Sequence, residues 1–98
     1  GITATNVGFY GPQGRQLRLK TEDSALNNKL ETFEHKGERI TNLEMETSGI
    51  YGLTTLLGHQ ALSINAILAN RATGVFSKNP ANTVNQMILA AFDRIALL

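Results

Sequence analysis

Cysteine is absent from the 98 residues. That excludes disulfides and thiolate metal sites, and it is compatible with the reducing cytoplasm in which the protein is expected to act. Tryptophan is absent as well, and aromatic residues make up only 6% of the chain. No apolar run approaches the roughly 20 residues of a membrane span. No basic stretch leads into an apolar one in the manner of a secretion signal. The formal net charge is +1, which gives no electrostatic case for nucleic acid or an anionic membrane as partner. Repeats, low-complexity tracts and linkers are missing. His35 and His59 stand alone without metal-ligand spacing, so no metal site is expected. Ser24, Ser48, Ser63 and Ser77 lack the context of a nucleophile elbow. The glycines between Gly8 and Gly14 are not followed by Gly-Lys-Ser/Thr, so they do not make a phosphate-binding loop of that type.

What remains is an ordinary globular composition, 42% apolar and 17% charged, of a size that makes one small domain with a modest core. The chain opens without an initiator Met and reads at once as a strand over residues 2–8. An N-terminal portion preceding Gly1 is therefore expected. Residues 8–14, with three glycines and Pro12, read as a loop, and Gln16 to Lys20 could add a short extended piece. A helix is predicted from about Ser24 to Lys36, capped by Asp23 or Ser24 and ended by Gly37. Arg39 to Met45 follows as a second strand. A second helix is predicted from Thr47 to Leu57, with Ile50, Leu53, Leu56 and Leu57 on one face and Gly58 after its end. The apolar run Ala61 to Ala69 reads as a third strand, covered on both sheet faces. Asn79-Pro80 starts a last helix, with Asn as cap and Pro at its first position. Val84, Met87, Ile88, Ala91, Ile95 and Leu98 form its expected buried stripe.

This alternating βαβαβα order predicts an α/β fold with a mostly parallel sheet. Ligands bind such sheets beyond the carboxyl ends of the strands. Three segments follow those ends: Phe9-Tyr10 with Gln13-Gly14-Arg15, then Glu44-Met45-Glu46, then Asn70-Arg71. All three are expected to meet at one sheet edge.

Their chemistry is suggestive. Glu46 is a carboxylate where a strand meets a helix, a position that the helix dipole favours for an acid, and it can accept from both hydroxyls of a vicinal diol. Pattern alone favours the plainer reading, a helix-start acid, with Met45 as a core residue. Glu44 is close enough to Glu46 that at least one of the two carboxylates needs a donor or cation nearby. Gln13 offers an acceptor and two donors, suited to an imide edge, and Arg15 adds a charged fork for a second carbonyl. Phe9 or Tyr10 could stack on a base. The plain alternative is a solvated loop, and for Asn70 and Arg71 a polar strand exit.

Taken together, Phe9-Tyr10-Gly11-Pro12-Gln13-Gly14-Arg15, Asn42-Leu43-Glu44-Met45-Glu46-Thr47 and Ala69-Asn70-Arg71 resemble the uridine phosphorylase branch of the nucleoside phosphorylase superfamily, over nearly the whole chain. The resemblance implies the C-terminal part of a single α/β-sandwich domain. It implies phosphorolysis of uridine to uracil and ribose 1-phosphate, with inorganic phosphate as co-substrate and no other cofactor. By it, Gln13 and Arg15 hold the uracil, Phe9 packs on the base, Met45 and Glu46 bind ribose, and Glu44 and Arg71 support the site. Arg15, Glu46 and Arg71 would be the catalytic set. Purine-cleaving relatives carry an Asp near the position of Asn70, which favours a pyrimidine here. The family's glycine-rich phosphate loop and arginines are missing from these residues. The resemblance also implies a hexamer of dimers, and the 98-residue chain alone is expected to be inactive. The competing expectations are a purine nucleoside phosphorylase or nucleosidase of the same superfamily, and a non-catalytic nucleoside-binding domain.

Overall fold

The structure is a computed structural model that describes residues 1–98. Two compact units divide the chain, Gly1–Leu62 and Ser63–Leu98.

In the first unit, strand β1 (Ile2–Thr5) lies parallel to β3 (Glu38–Glu44), and β2 (Glu34–His35) joins the other edge of β3 antiparallel, giving the order β1-β3-β2. β1 is richer in β-branched residues than in anything helical, and Thr5 stands opposite Glu44 at its end. The sheet is thus small and mixed, with β3 at its centre, parallel to β1 on one side and antiparallel to β2 on the other. Helix α1 (Leu26–Thr32) connects β1 to this hairpin, and α2 (Thr47–Leu56) follows β3. In the second unit a two-stranded hairpin, β4 (Ala69–Asn70) with β5 (Val75–Phe76), precedes helix α3 (Pro80–Ile95).

Several expectations are corrected. The first strand ends at Thr5, and Gln16 to Lys20 form no strand. The first helix stops at Thr32 because the residues expected to complete it turn back. Lys36 and Gly37 both have positive φ, 51° and 78°, and Glu34 pairs with Arg39. A two-residue loop with both φ positive matches the twist of the strands it joins, and Gly at the second position carries no Cβ penalty. Gly37 is thus a hairpin turn residue rather than a helix stop. Asp23 is not the cap itself, since Ala25 occupies that position. Asp23 instead accepts from the Ala25 N–H at 2.9 Å and pairs with Lys29 at 2.7 Å.

The third expected strand does not form. Residues 61–68 pair with no other strand, and a strand exists only through such pairing. Their apolar side chains include Leu62 at 79% exposure and Ile67 at 53%. Ala69, expected to end that strand, and Asn70, expected to begin a loop, instead open an antiparallel hairpin. The βαβαβα order is replaced by βαββα in the first unit and ββα in the second.

Two helix ends follow the sequence closely. Asn79 caps α3 and its side chain accepts from the Asn82 N–H at 3.0 Å, with Pro80 in the first turn. After α2, the N–H of His59 bonds to the Thr54 carbonyl at 2.8 Å and that of Gly58 to Thr55 at 3.2 Å. These are the paired bonds of a Schellman ending. No helix is long and apolar enough to cross a membrane.

Neither unit buries an apolar side chain; the buried residues are Gln13 and Thr47. The expected faces of α2 and α3 are in place but uncovered. Leu53, Leu56 and Leu57 are exposed, and in the α3 stripe Val84, Met87 and Ala91 are half-buried while Ile88, Ile95 and Leu98 are exposed. Fully burying such a side chain is worth about 1.5–3 kcal/mol, and here that stabilisation is largely unrealised.

Candidate functional site

The parallel pairing of β1 and β3 sends two loops out over the same sheet edge. Thr5 is in register with Glu44, and the Asn6 N–H continues the ladder to the Glu44 carbonyl at 2.8 Å. The chain leaving β1 runs into Phe9 to Arg15, and the chain leaving β3 runs into Met45 and Glu46.

The first loop is held by its own backbone. A 3₁₀ turn spans Gly11–Gln13, and the N–H groups of Gln13 and Arg15 both reach the Tyr10 carbonyl, at 3.1 and 2.9 Å. Gly14 closes the turn at φ 72°, where any L side chain is strained, and a Cβ there would also meet the Asn27 side chain at about 3.0 Å and require it to shift. This geometry brings Phe9, Gln13 and Arg15 together. The Arg15 guanidinium lies 3.9 Å from the Phe9 ring centroid, and its Nη1 donates both to the Phe9 carbonyl and to Gln13 Oε1. Tyr10 meets Phe9 edge-on, ring centroids 5.2 Å apart. Gln13 is buried at 8% exposure, whereas Phe9 is 52% exposed. A fixed guanidinium, a buried amide and a half-exposed ring form a compact group able to read carbonyl oxygens on a planar ligand.

The second loop separates the two carboxylates that the sequence sets close together. Glu44 Oε2 accepts from the N–H groups of Glu46 and Thr47 at 2.7 and 2.6 Å, and Oε1 accepts from the Thr5 hydroxyl. The Thr47 hydroxyl adds a fourth donor. A carboxylate has about four lone-pair sites, so Glu44 is saturated by its own protein. Burial pushes its carboxyl up, but the Thr5 hydroxyl, the two backbone N–H groups and the Thr47 hydroxyl outweigh that and bring it down to about 2. Glu46 occupies the cap position of α2, is exposed, and accepts from the Met45 N–H at 3.2 Å. Met45 is 39% exposed beside it.

A pH dependence follows. The folded Glu44 carboxyl lies below its ordinary 4.5, so its contribution to stability is complete above about pH 4.5 and fades as pH falls towards about 2. In a Glu44→Gln variant that contribution is missing at neutral pH. The stability gap between parent and variant should therefore narrow steadily from pH 5 to pH 2, as read by denaturant midpoints of the full-length protein. A gap independent of pH would show that the charge of Glu44 contributes nothing.

Arg71 is half-buried in the turn of the β4–β5 hairpin, in the second unit. The parallel strand expected to deliver it to the edge shared by the other residues is not formed. Asn70 Oδ1 accepts from the N–H groups of Ala72 and Thr73 at 3.0 and 3.1 Å, which ties this side chain into the turn.

Thr5 and Thr47 were missed in the sequence. Alternation along β1 puts Thr3 and Thr5 on one face, and along β3 puts Asn42 and Glu44 on one face. Only the register shows that these faces coincide, with Thr3 donating to Asn42 Oδ1 at 2.7 Å and Thr5 to Glu44.

Over 78 residues, 80% of its length, the chain is 36% identical to a uridine phosphorylase of Thermococcus kodakarensis, of which it covers 27%. Over 60 residues, 59% of its length, it is 37% identical to a DeoD-type purine nucleoside phosphorylase from each of two strains of Vibrio vulnificus, of which it covers 25%. The chain thus spans about a quarter of the length of the curated relatives it matches. No family model and no solved structure matches it.

Proposed function

The chain belongs by sequence to the nucleoside phosphorylase family, and from that premise we propose that it carries the base- and ribose-binding part of a longer phosphorolytic enzyme whose substrate is uridine. The observation that supports this best is the grouping at one sheet edge: Arg15 locked against Phe9 and Gln13 on one loop, and an exposed Glu46 on the next. Gln13 and Arg15 address the imide edge of uracil, and Phe9 packs on the ring. Glu46, with Met45 beside it, accepts from the ribose hydroxyls. Phosphate attacks C1′ as the C1′–N1 bond breaks, and the bonding pair leaves with the base. Arg15 stabilises the negative charge that develops there, a kind of stabilisation that is usually a large part of catalysis. The uracil anion is delocalised and takes its proton from solvent, so no dedicated acid is needed. Arg71 is assigned a supporting role near the base.

Phosphate is a co-substrate, and its contacts are proposed to lie outside these 98 residues. The proposed complete protein acts in the cytoplasm as a hexamer built of dimers. A second reading, cleavage of purine nucleosides, draws on the resemblance to the Vibrio enzymes. Uridine is favoured because Asn70 is not an acid and its amide oxygen is engaged within the turn.

The test is product analysis of the full-length protein with uridine or inosine, with and without phosphate. Phosphate-dependent release of uracil and ribose 1-phosphate is expected. Free ribose formed equally well without phosphate would make the enzyme a nucleosidase, preference for inosine would make it a purine enzyme, and tight uridine binding without cleavage would make it a binding domain.

A further inference from the structure

We propose that Thr5 is a positioning residue for Glu46, acting through Glu44; the proposal rests on the ribose-binding reading of Glu46 given above.

An α-helix begins with N–H groups that have no partner within the helix. The residue at the cap position normally satisfies one or two of them by folding its own side chain back over the first turn. Glu46 holds that position in α2 and makes no such bond. Its task is taken over from outside the helix. Glu44 accepts from the N–H groups of Glu46 and Thr47, and the Thr5 hydroxyl accepts from that of Ser48 at 3.1 Å. The same hydroxyl donates its proton to Glu44. Thr5 therefore sits between the carboxylate that caps the helix and the helix itself, and it is one of the points at which β1, β3 and α2 are joined.

This arrangement divides the work between two neighbouring glutamates. Glu44, saturated by four donors, is a structural carboxylate with no lone pair to offer a substrate. Glu46, relieved of capping, keeps a carboxylate oriented by one weak backbone bond from Met45. Without the Thr5 hydroxyl, Glu44 loses a donor and the Ser48 N–H loses its acceptor. The Glu46 side chain, at the cap position, is then drawn to fold back onto the first turn in the usual manner of a cap residue. A carboxylate used for capping is lost to the ribose.

The experiment compares uridine with 2′,3′-dideoxyuridine, which has no hydroxyls for Glu46, in the full-length enzyme. Glu46→Gln calibrates the comparison, and it should depress kcat/KM for uridine far more than for the dideoxy substrate. Thr5→Val should show the same selectivity, lowering kcat/KM for uridine roughly 10-fold or more, mainly through KM. Thr5→Ser keeps the hydroxyl and should restore most of the parent value. Thr5→Ala, which introduces no new bulk, should behave as Thr5→Val and serves if the valine variant does not fold. If the threonine variants lower both substrates equally, or neither, while Glu46→Gln stays selective, the positioning role is wrong. A Glu46→Gln enzyme that shows no selectivity overturns the ribose reading itself, and the positioning role with it.

Discussion

Arg15→Ala in the full-length enzyme is expected to lower kcat/KM for uridine by ~10²–10³-fold, the range found when one preorganised donor to a developing anion is removed. Two effects combine. The charge that would face the departing base is lost, and the loop loses the group that joins its parts. Arg15 is stacked on Phe9 and donates to the Phe9 carbonyl and to Gln13 Oε1, and Gln13 is one of the two buried residues of the chain. Arg15→Lys separates the two effects. Lysine keeps the charge but not the planar fork or the stacking, so an intermediate rate is expected, with base selectivity weakened more than turnover. Initial rates of the variants on uridine provide the measurement. A change of less than about threefold for Arg15→Ala would reduce Arg15 to a loop brace.

The isolated 98-residue chain is expected to show no cooperative thermal transition and no phosphorolysis of uridine. Ordering a residue's backbone costs about 1–2 kcal/mol, and the largest opposing contribution is buried apolar surface. That contribution is small here. No apolar side chain is buried, and the residues best placed to supply a core, among them Leu53, Leu56, Leu57, Phe92 and Ile95, are between 60 and 83% exposed. Calorimetry of the purified chain should give a broad, nearly featureless trace, and amide exchange should be fast in the second unit and slowest where β1 and β3 pair. A sharp transition with the enthalpy of an ordinary domain of this length, about 60–80 kcal/mol, would show that the chain folds on its own.

How legible this was in the sequence depended on whether the deciding contacts were local. Helix ends are local. Asn79-Pro80 and the glycine after Leu57 carry their meaning in a few residues, and both were readable. For the site loops the residues taken alone favoured the plainer reading, a solvated loop and a helix-start acid, and the roles of Gln13, Arg15 and Glu46 came from the family resemblance. The hairpin at Lys36-Gly37 was misread because a Gly after an apolar, helix-like run serves equally as a helix stop or as a turn. The third strand failed for a different reason. Residues 61–69 have a strand's composition, but strand formation needs a neighbour, and periodicity does not reveal one. The parallel strand expected to deliver Arg71 is absent with it. The division of labour between Glu44 and Glu46 was half visible. Two close carboxylates called for a nearby donor, but naming Thr5 required the β1–β3 register, a contact 39 residues long in sequence.

The central claim is that Gln13 and Arg15 hold the base while Glu46 holds the sugar. It is tested most directly by a crystal structure of the full-length protein with uridine bound. The account predicts the uracil edge on the Gln13 amide and the Arg15 guanidinium, the ribose hydroxyls on the Glu46 carboxylate, and Glu44 still engaged with Thr5 and the start of α2. Uridine bound away from this sheet edge, or a ribose held by Glu44 in place of Glu46, would contradict it.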